Sequence, residues 1–221
     1  MSSLRNAFWD VVHHIPEGFW WGFTWLGDSG LLLPAALLIA ILLASSRRTW
    51  STAALWVLLF GAASTLVLIS KLAFLGWGVG SARLNFTGIS GHTMLSASVW
   101  PVALWLMASR GSHRLRVRLA VVGWLLAAGI GVSRLAIYAH SWSEVTTGFL
   151  LGVATSASFL AVQRGMPHPQ LRAPLVLVSL LLPLALQQPG NPAPTQGLLE
   201  RVAMHLAGIE RPFTREDLRG S

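Results

Sequence analysis

Glu144 is the only acidic side chain between Asp28 and Glu200, and Lys71 is the only lysine in the chain, yet both lie beside long apolar runs. At the centre of a membrane helix such a group costs on the order of 2.5–3.5 kcal/mol, so an ionisable side chain kept there is a candidate for function. Glu144 closes the segment Ser133-Arg134-Leu135-Ala136-Ile137-Tyr138-Ala139-His140-Ser141-Trp142-Ser143-Glu144. If residues 140–144 are helical, His140 and Glu144 share a face one turn apart. The carboxylate can then accept one imidazole N–H and leave the other nitrogen facing outward. A histidine steered in this way can act as nucleophile or base. The plain alternative is an i,i+4 surface pair, which requires the lone acid of a long apolar stretch to fall there by chance.

Two more stretches carry candidate chemistry. Thr87-Gly88-Ile89-Ser90-Gly91-His92-Thr93 opens an apolar run, and glycines and small hydroxyl residues at a helix start present backbone N–H groups to an anionic oxygen. Alone, it is also an ordinary capped helix start with a structural His92. Lys71-Leu72-Ala73-Phe74-Leu75-Gly76-Trp77-Gly78-Val79-Gly80-Ser81-Ala82-Arg83 puts a cation at the end of a span, then a glycine-rich loop and a second cation. Lys71 could instead snorkel and Arg83 be solvated. With Arg134 added, three cations and a helix N-terminus can converge on one face. A cation about 4 Å from a phosphate charge contributes around 4 kcal/mol at an effective dielectric of 20, before desolvation, and phosphate is the dianion that suits such a cluster. A metal held by His92 and His140 is the competing reading. Cationic neighbours and a single carboxylate disfavour it, so neither metal nor cofactor is expected.

In this order the three elements resemble the motifs of the type 2 phosphatidic acid phosphatase (PAP2) superfamily, which shares its site with vanadium haloperoxidases. The family pattern is Lys-x6-Arg-Pro, then Pro-Ser-Gly-His, then Ser-Arg-x5-His-x3-Asp. Ser90-Gly91-His92 matches the second motif with Ile89 in the proline position, and Ser133-Arg134 and His140 match the third with Glu144 in the aspartate position. In the first motif Lys71 is present, but Gly78 stands where arginine is usual, and the nearest arginine, Arg83, is followed by Leu84. The resemblance implies metal-independent hydrolysis of a lipid phosphomonoester or diphosphate through a phosphohistidine. His140 would attack, Glu144 would hold its tautomer and His92 would serve the leaving oxygen. Lys71, Arg83, Ser90, Gly91 and Arg134 would bind the phosphate. Undecaprenyl diphosphate, phosphatidylglycerophosphate, phosphatidic acid and lipid A phosphates are the substrates it implies, with undecaprenyl diphosphate preferred for a compact chain with an outward site. A non-hydrolytic lipid-phosphate binding or transport protein is the alternative, since it needs the cations but not the histidine pair. A structural membrane subunit is a third reading.

The elements that must position these residues follow from composition. The chain is 53% hydrophobic and 11% charged, with mean hydropathy +0.59 and eleven Trp, the profile of an integral membrane protein. Its net charge of +8 is read as a topology signal and not as nucleic-acid binding, because no basic patch is interleaved with stacking aromatics. With no Cys, disulfides and thiol chemistry are excluded. No cleavable leader pattern is visible. Residues 30–46, 50–70, 93–109, 119–132, 145–163 and 171–186 are the expected spans, which predicts an all-α polytopic bundle of about six transmembrane helices. Arg47, Arg48, Arg110, Arg114, Arg116, Arg118, Arg164 and Arg172 fall in alternate loops, and the positive-inside rule puts those loops in the cytoplasm; a bacterial inner membrane is the location the resemblance implies. The candidate residues then face the periplasm. Residues 1–29, rich in Trp and Phe but interrupted by Asp10, Pro16 and Glu17, are expected to lie along the interface. The catalytic domain covers 30–187. In the remainder, 188–221, a Pro-rich linker at 188–194 leads to a short amphipathic helix carrying Leu198, Leu199, Val202, Leu206 and Ile209 and then a polar tail. Membrane lipids and a lipid phosphate are the expected partners; oligomeric state is not legible.

Overall fold

A computed structural model describes residues 2–186 and 195–220; the expected linker at 188–194 lies outside the described residues. Ten α-helices follow one another among those residues: α1 Ser2–His14, α2 Glu17–Thr24, α3 Ser29–Ala44, α4 Trp50–Trp77, α5 Gly91–Met107, α6 His113–Ala136, α7 Trp142–Gln163, α8 Ala173–Leu186, α9 Thr195–Ala207 and α10 Arg215–Gly220. Their ends are set by ordinary capping chemistry. The Asp28 carboxylate accepts from Gly30 N–H at 2.7 Å to start α3. Ser112 Oγ accepts from Leu115 N–H at 3.2 Å to start α6. Gly78, at φ +67°, stops α4 in the left-handed conformation that glycine adopts without strain.

The central element is α5, where Met94, Ala97, Val99, Val102, Ala103 and Leu106 are buried. It packs against α3, α6, α7 and α8. Two glycines let α7 approach it: a Cβ on Gly148 would lie 2.6 Å from Ser90 O, and one on Gly152 would lie 2.5 Å from Met94 O. Where neighbouring lipid is as apolar as the side chains, close backbone contact and polar links hold helices together. Ser156 Oγ supplies such a link, donating to Ala97 O at 2.7 Å and accepting from Trp124 Nε1–H at 2.9 Å.

Among the described residues four stretches are long and apolar enough to cross a membrane: Glu17–Ala44, Arg47–Trp77, His113–Ala136 and Trp142–Gln163. Six were expected. Of the remaining two, α5 has 17 residues and α8 has 14. The first stretch also starts at Glu17, well before the expected Gly30, so α2 and α3 form one apolar run. This is possible because Asp28, the polar interruption, turns inward as the cap of α3 and is 4% exposed.

The arginine-bearing loops gather at one end of the bundle, where Ser109 Oγ donates to Leu171 O at 2.9 Å and Arg116 lies 5.2 Å from the Trp105 ring. Asp28, Lys71, His92, Arg134 and Glu144 sit at the opposite ends of the same helices. Helices of this length separate the two sets by about 30 Å. The predicted amphipathic helix is α9, which lies along α4 with Ala203 against Gly76; Ile209 falls just beyond it, after Gly208.

Candidate active site

His140 belongs to the short turn between α6 and α7 and not to a helix. Beyond Ala136 the chain reverses through Tyr138, a non-glycine residue at φ +55°. The N–H groups of Ala139 and His140 both donate to Arg134 O, at 3.1 and 3.2 Å. The turn is braced from outside by α1, whose Trp9 stacks on Tyr138 with centroids 5.7 Å apart and planes 8° from parallel. Ser141 then caps α7 in a reciprocal capping box: Ser141 Oγ accepts from Glu144 N–H at 3.4 Å, and Ser141 N–H donates to Glu144 Oε2 at 3.0 Å. The expected i,i+4 pair therefore forms by a different local route, with His140 Nδ1 2.7 Å from Glu144 Oε2.

Glu144 is 0% exposed, so its charge must be met internally. Thr87 N–H and Thr87 Oγ1 each reach Oε1 at 2.7 Å. Arg215 Nη2 donates to both oxygens, at 2.9 and 3.0 Å. Surrounded by donors, the carboxylate is ionised and acceptor-only, so Nδ1 of His140 carries the proton and Nε2 holds the lone pair. Burial, the largest influence, holds the His140 pKa below the ordinary histidine value. The hydrogen bond and charge of Glu144 oppose that effect, and Lys71 and Arg134 reinforce it.

A cavity of about 810 Å³ opens over His140 and is also lined by Lys71, Gly91, His92 and Arg134. These come from the end of α4, the start of α5 and the last turn of α6. The lining also includes the apolar side chains of Leu33, Val67, Leu68, Leu198, Leu199 and Phe213. Arg134 Nη1 donates to Thr24 Oγ1 at 3.0 Å, while its Nε is buried with no hydrogen-bond partner among the described residues. The imidazole Nε2 of His92 lies 3.6 Å from Asp28 Oδ2. Among the described residues no three His, Asp or Glu side chains gather to hold a metal ion.

Two predicted site residues are placed elsewhere. Arg83 is exposed and does not line the cavity. The loop carrying it folds back on itself through paired 3.0 Å hydrogen bonds between Ser81 and Phe86, with Asn85 at φ +50°, and residue 83 sits at the outer tip. Ser90 is 0% exposed, and its hydroxyl lies 2.9 Å from Thr93 Oγ1. Its backbone N–H donates to Glu144 O at 3.2 Å, so it braces the site from behind. Three residues at the site had no site role in the sequence reading: Asp28, Thr87 and Arg215. The Ser-x-x-Glu pattern of 141–144 was a legible capping signature, but no local pattern links Arg215 to residues in the middle of the chain.

Residues 76–165 match the PAP2 superfamily profile. The chain is 44% identical over 202 residues to an "Uncharacterized 22.5 kDa protein in cps region" of Klebsiella pneumoniae, covering 90% of this chain and 97% of that relative. It is 29% identical over 145 residues to "Phosphatidylglycerophosphatase B" of Bacillus subtilis (strain 168), covering 60% of this chain and 68% of that relative. No solved structure matches.

Proposed function

The chain belongs to the PAP2 superfamily, and from that premise we propose that it is a membrane lipid phosphatase acting through a phosphohistidine at His140. Family membership and the phosphatidylglycerophosphatase relative support phosphatase activity on a lipid. The reading of mechanism rests on one observation: the buried Glu144 carboxylate lies 2.7 Å from His140 Nδ1 beside a cavity lined by Lys71 and Arg134.

His140 Nε2 attacks phosphorus, and the bond from phosphorus to the lipid-side oxygen breaks. His92 gives that oxygen its proton from its protonated form, which burial and then the Arg134, His140 and Lys71 charges disfavour. The resulting phosphoimidazolium keeps its Nδ1 proton against Glu144. Water then attacks phosphorus, His92 takes the water proton, the P–N bond breaks and inorganic phosphate leaves. Lys71, Arg134 and the Gly91 N–H compensate the charge on the phosphoryl oxygens, and the buried, unpartnered Nε of Arg134 is a donor suited to that use. Asp28, 3.6 Å from His92, is suited to orienting it. The apolar side chains of the lining fit a lipid chain that stays in the membrane while its headgroup enters the cavity. Undecaprenyl diphosphate is the preferred substrate, and a bacterial inner membrane with the site facing the periplasm is the proposed location.

The test is phosphate release by purified protein from short-chain polyprenyl, glycerolipid and lipid A phosphates in EDTA. Release that vanadate inhibits and His140→Ala abolishes is expected. Binding of those lipids without any release would favour the non-hydrolytic alternative, and unimpaired release by His140→Ala would remove the phosphohistidine.

A further inference from the structure

The first loop, where Arg83 points away, leaves the site without an arginine from that side, and the C-terminal segment brings one. We propose that Arg215 is a positioning residue of the site: it fixes and neutralises Glu144, and ties the 81–87 loop to the start of α7 so that His140 is held for attack. The proposal rests on the phosphatase reading of His140 and concerns a residue outside the stretch that matches the family profile.

The guanidinium divides its donors. Nη2 contacts both oxygens of Glu144, at 2.9 and 3.0 Å, and Thr87 Oγ1 at 3.2 Å; Nη1 contacts Asn85 O at 2.8 Å and Asn85 Oδ1 at 2.9 Å. A planar fork that spans two partners is what arginine provides and lysine does not. Removing it would leave Glu144 buried with its charge less compensated, the most damaging way to break such a pair.

Arg215 is delivered by a docked segment. Phe213 N–H donates to Leu75 O at 2.9 Å, and Leu218 is buried with Phe74, Leu75 and Ala203. Arg211 pairs with Asp217 through two 2.9 Å contacts, and Asp217 also accepts from Thr214 N–H at 2.8 Å. These contacts anchor the segment against α4 and α9, and Phe213, Thr214 and Arg215 line the cavity.

The charged and titratable groups around His140 are Glu144 from α7, Lys71 from α4, Arg134 from α6 and His92 from α5, with Asp28 beyond His92. Arg215 reaches His140 through Glu144. Without that cation the carboxylate stabilises the imidazolium more strongly, so the His140 titration should move to higher pH.

The experiment compares wild type, Arg215→Ala, Arg215→Lys, Arg215→Gln and Arg83→Ala as full-length proteins in detergent. Phosphate release from a short-chain lipid phosphate is followed against pH. The His140 titration is followed by NMR of 15N-histidine-labelled protein, with the signal assigned by its loss in His140→Ala. Arg215→Ala should lose on the order of 50-fold or more in kcat with KM changed less than about threefold, and its His140 titration should rise by about half a unit or more. Arg215→Lys should recover part of both, while Arg83→Ala should match wild type. Where Arg215→Ala does not fold, Arg215→Gln reports the loss of charge. If the Ala or Gln variant keeps both rate and titration within error of wild type, or if Lys recovers nothing that Gln does not, the proposal is overturned. A wild type that hydrolyses no lipid phosphate would overturn the phosphatase reading instead. The NMR arm would still decide whether Arg215 acts on His140 through Glu144.

Discussion

Glu144 meets three demands with one side chain: it completes the capping box of α7, accepts a hydrogen bond from His140 Nδ1–H and anchors Thr87 and Arg215. Replacement by Gln keeps the size but loses the charge and can turn a donor toward Nδ1, which favours the wrong tautomer. Glu144→Gln is expected to lower kcat by roughly 10²–10⁴ with a small change in KM, measured by phosphate release. The acid limb of the rate profile follows from His140. Its pKa is lowered, so the imidazole is neutral and nucleophilic above that value and protonated below it. The acid limb of wild-type kcat/KM should therefore lie below a pH of about 6.5. An acid limb above about 7 would contradict the buried setting of His140. The histidine–carboxylate spacing was legible because four residues is a local distance. Arg83 misled because its type and loop were right, while the direction of its side chain depends on how the loop closes through Ser81 and Phe86.

The site is aligned by helix ends, and helix ends are held by close packing along the shafts. At Gly152 any side chain meets Met94 O, so Gly152→Val should push α7 from α5 and shift Glu144 away from Thr87. A destabilisation of about 1–3 kcal/mol is expected from overpacking, read as a lower unfolding temperature in detergent and accompanied by loss of phosphate release. Gly61→Ala, on α4 with nothing within 4 Å of the added methyl, should leave both unchanged. Apolar length predicted the helices themselves well, since hydropathy is summed over a window and tolerates single misfits. It placed the start of the first run too late, because Asp28 reads as an interruption until its side chain is seen to cap α3.

Across the molecule, the loops carrying Arg47, Arg48, Arg110, Arg114, Arg116, Arg118, Arg164 and Arg172 lie a bundle's length from the site. Those arginines occupy the loops at one end, and the histidine pair, Lys71, Arg134 and the C-terminal segment occupy the other. A reporter fused after Ser221 should read as periplasmic, and one inserted near Gly111 as cytoplasmic; the reverse pattern would place the site in the cytoplasm. The sequence by itself determined the membrane class, the helical runs, the arginine asymmetry and the histidine–carboxylate pair, because each is a property of neighbouring residues. Only the tertiary structure decided which cations meet at the cavity, that Ser90 faces inward, and that Arg215 reaches Glu144 across 71 residues of chain. A contact of that span depends on where α9 and the segment after it dock on α4, and docking is set by the packing of whole surfaces, which no short stretch of sequence encodes.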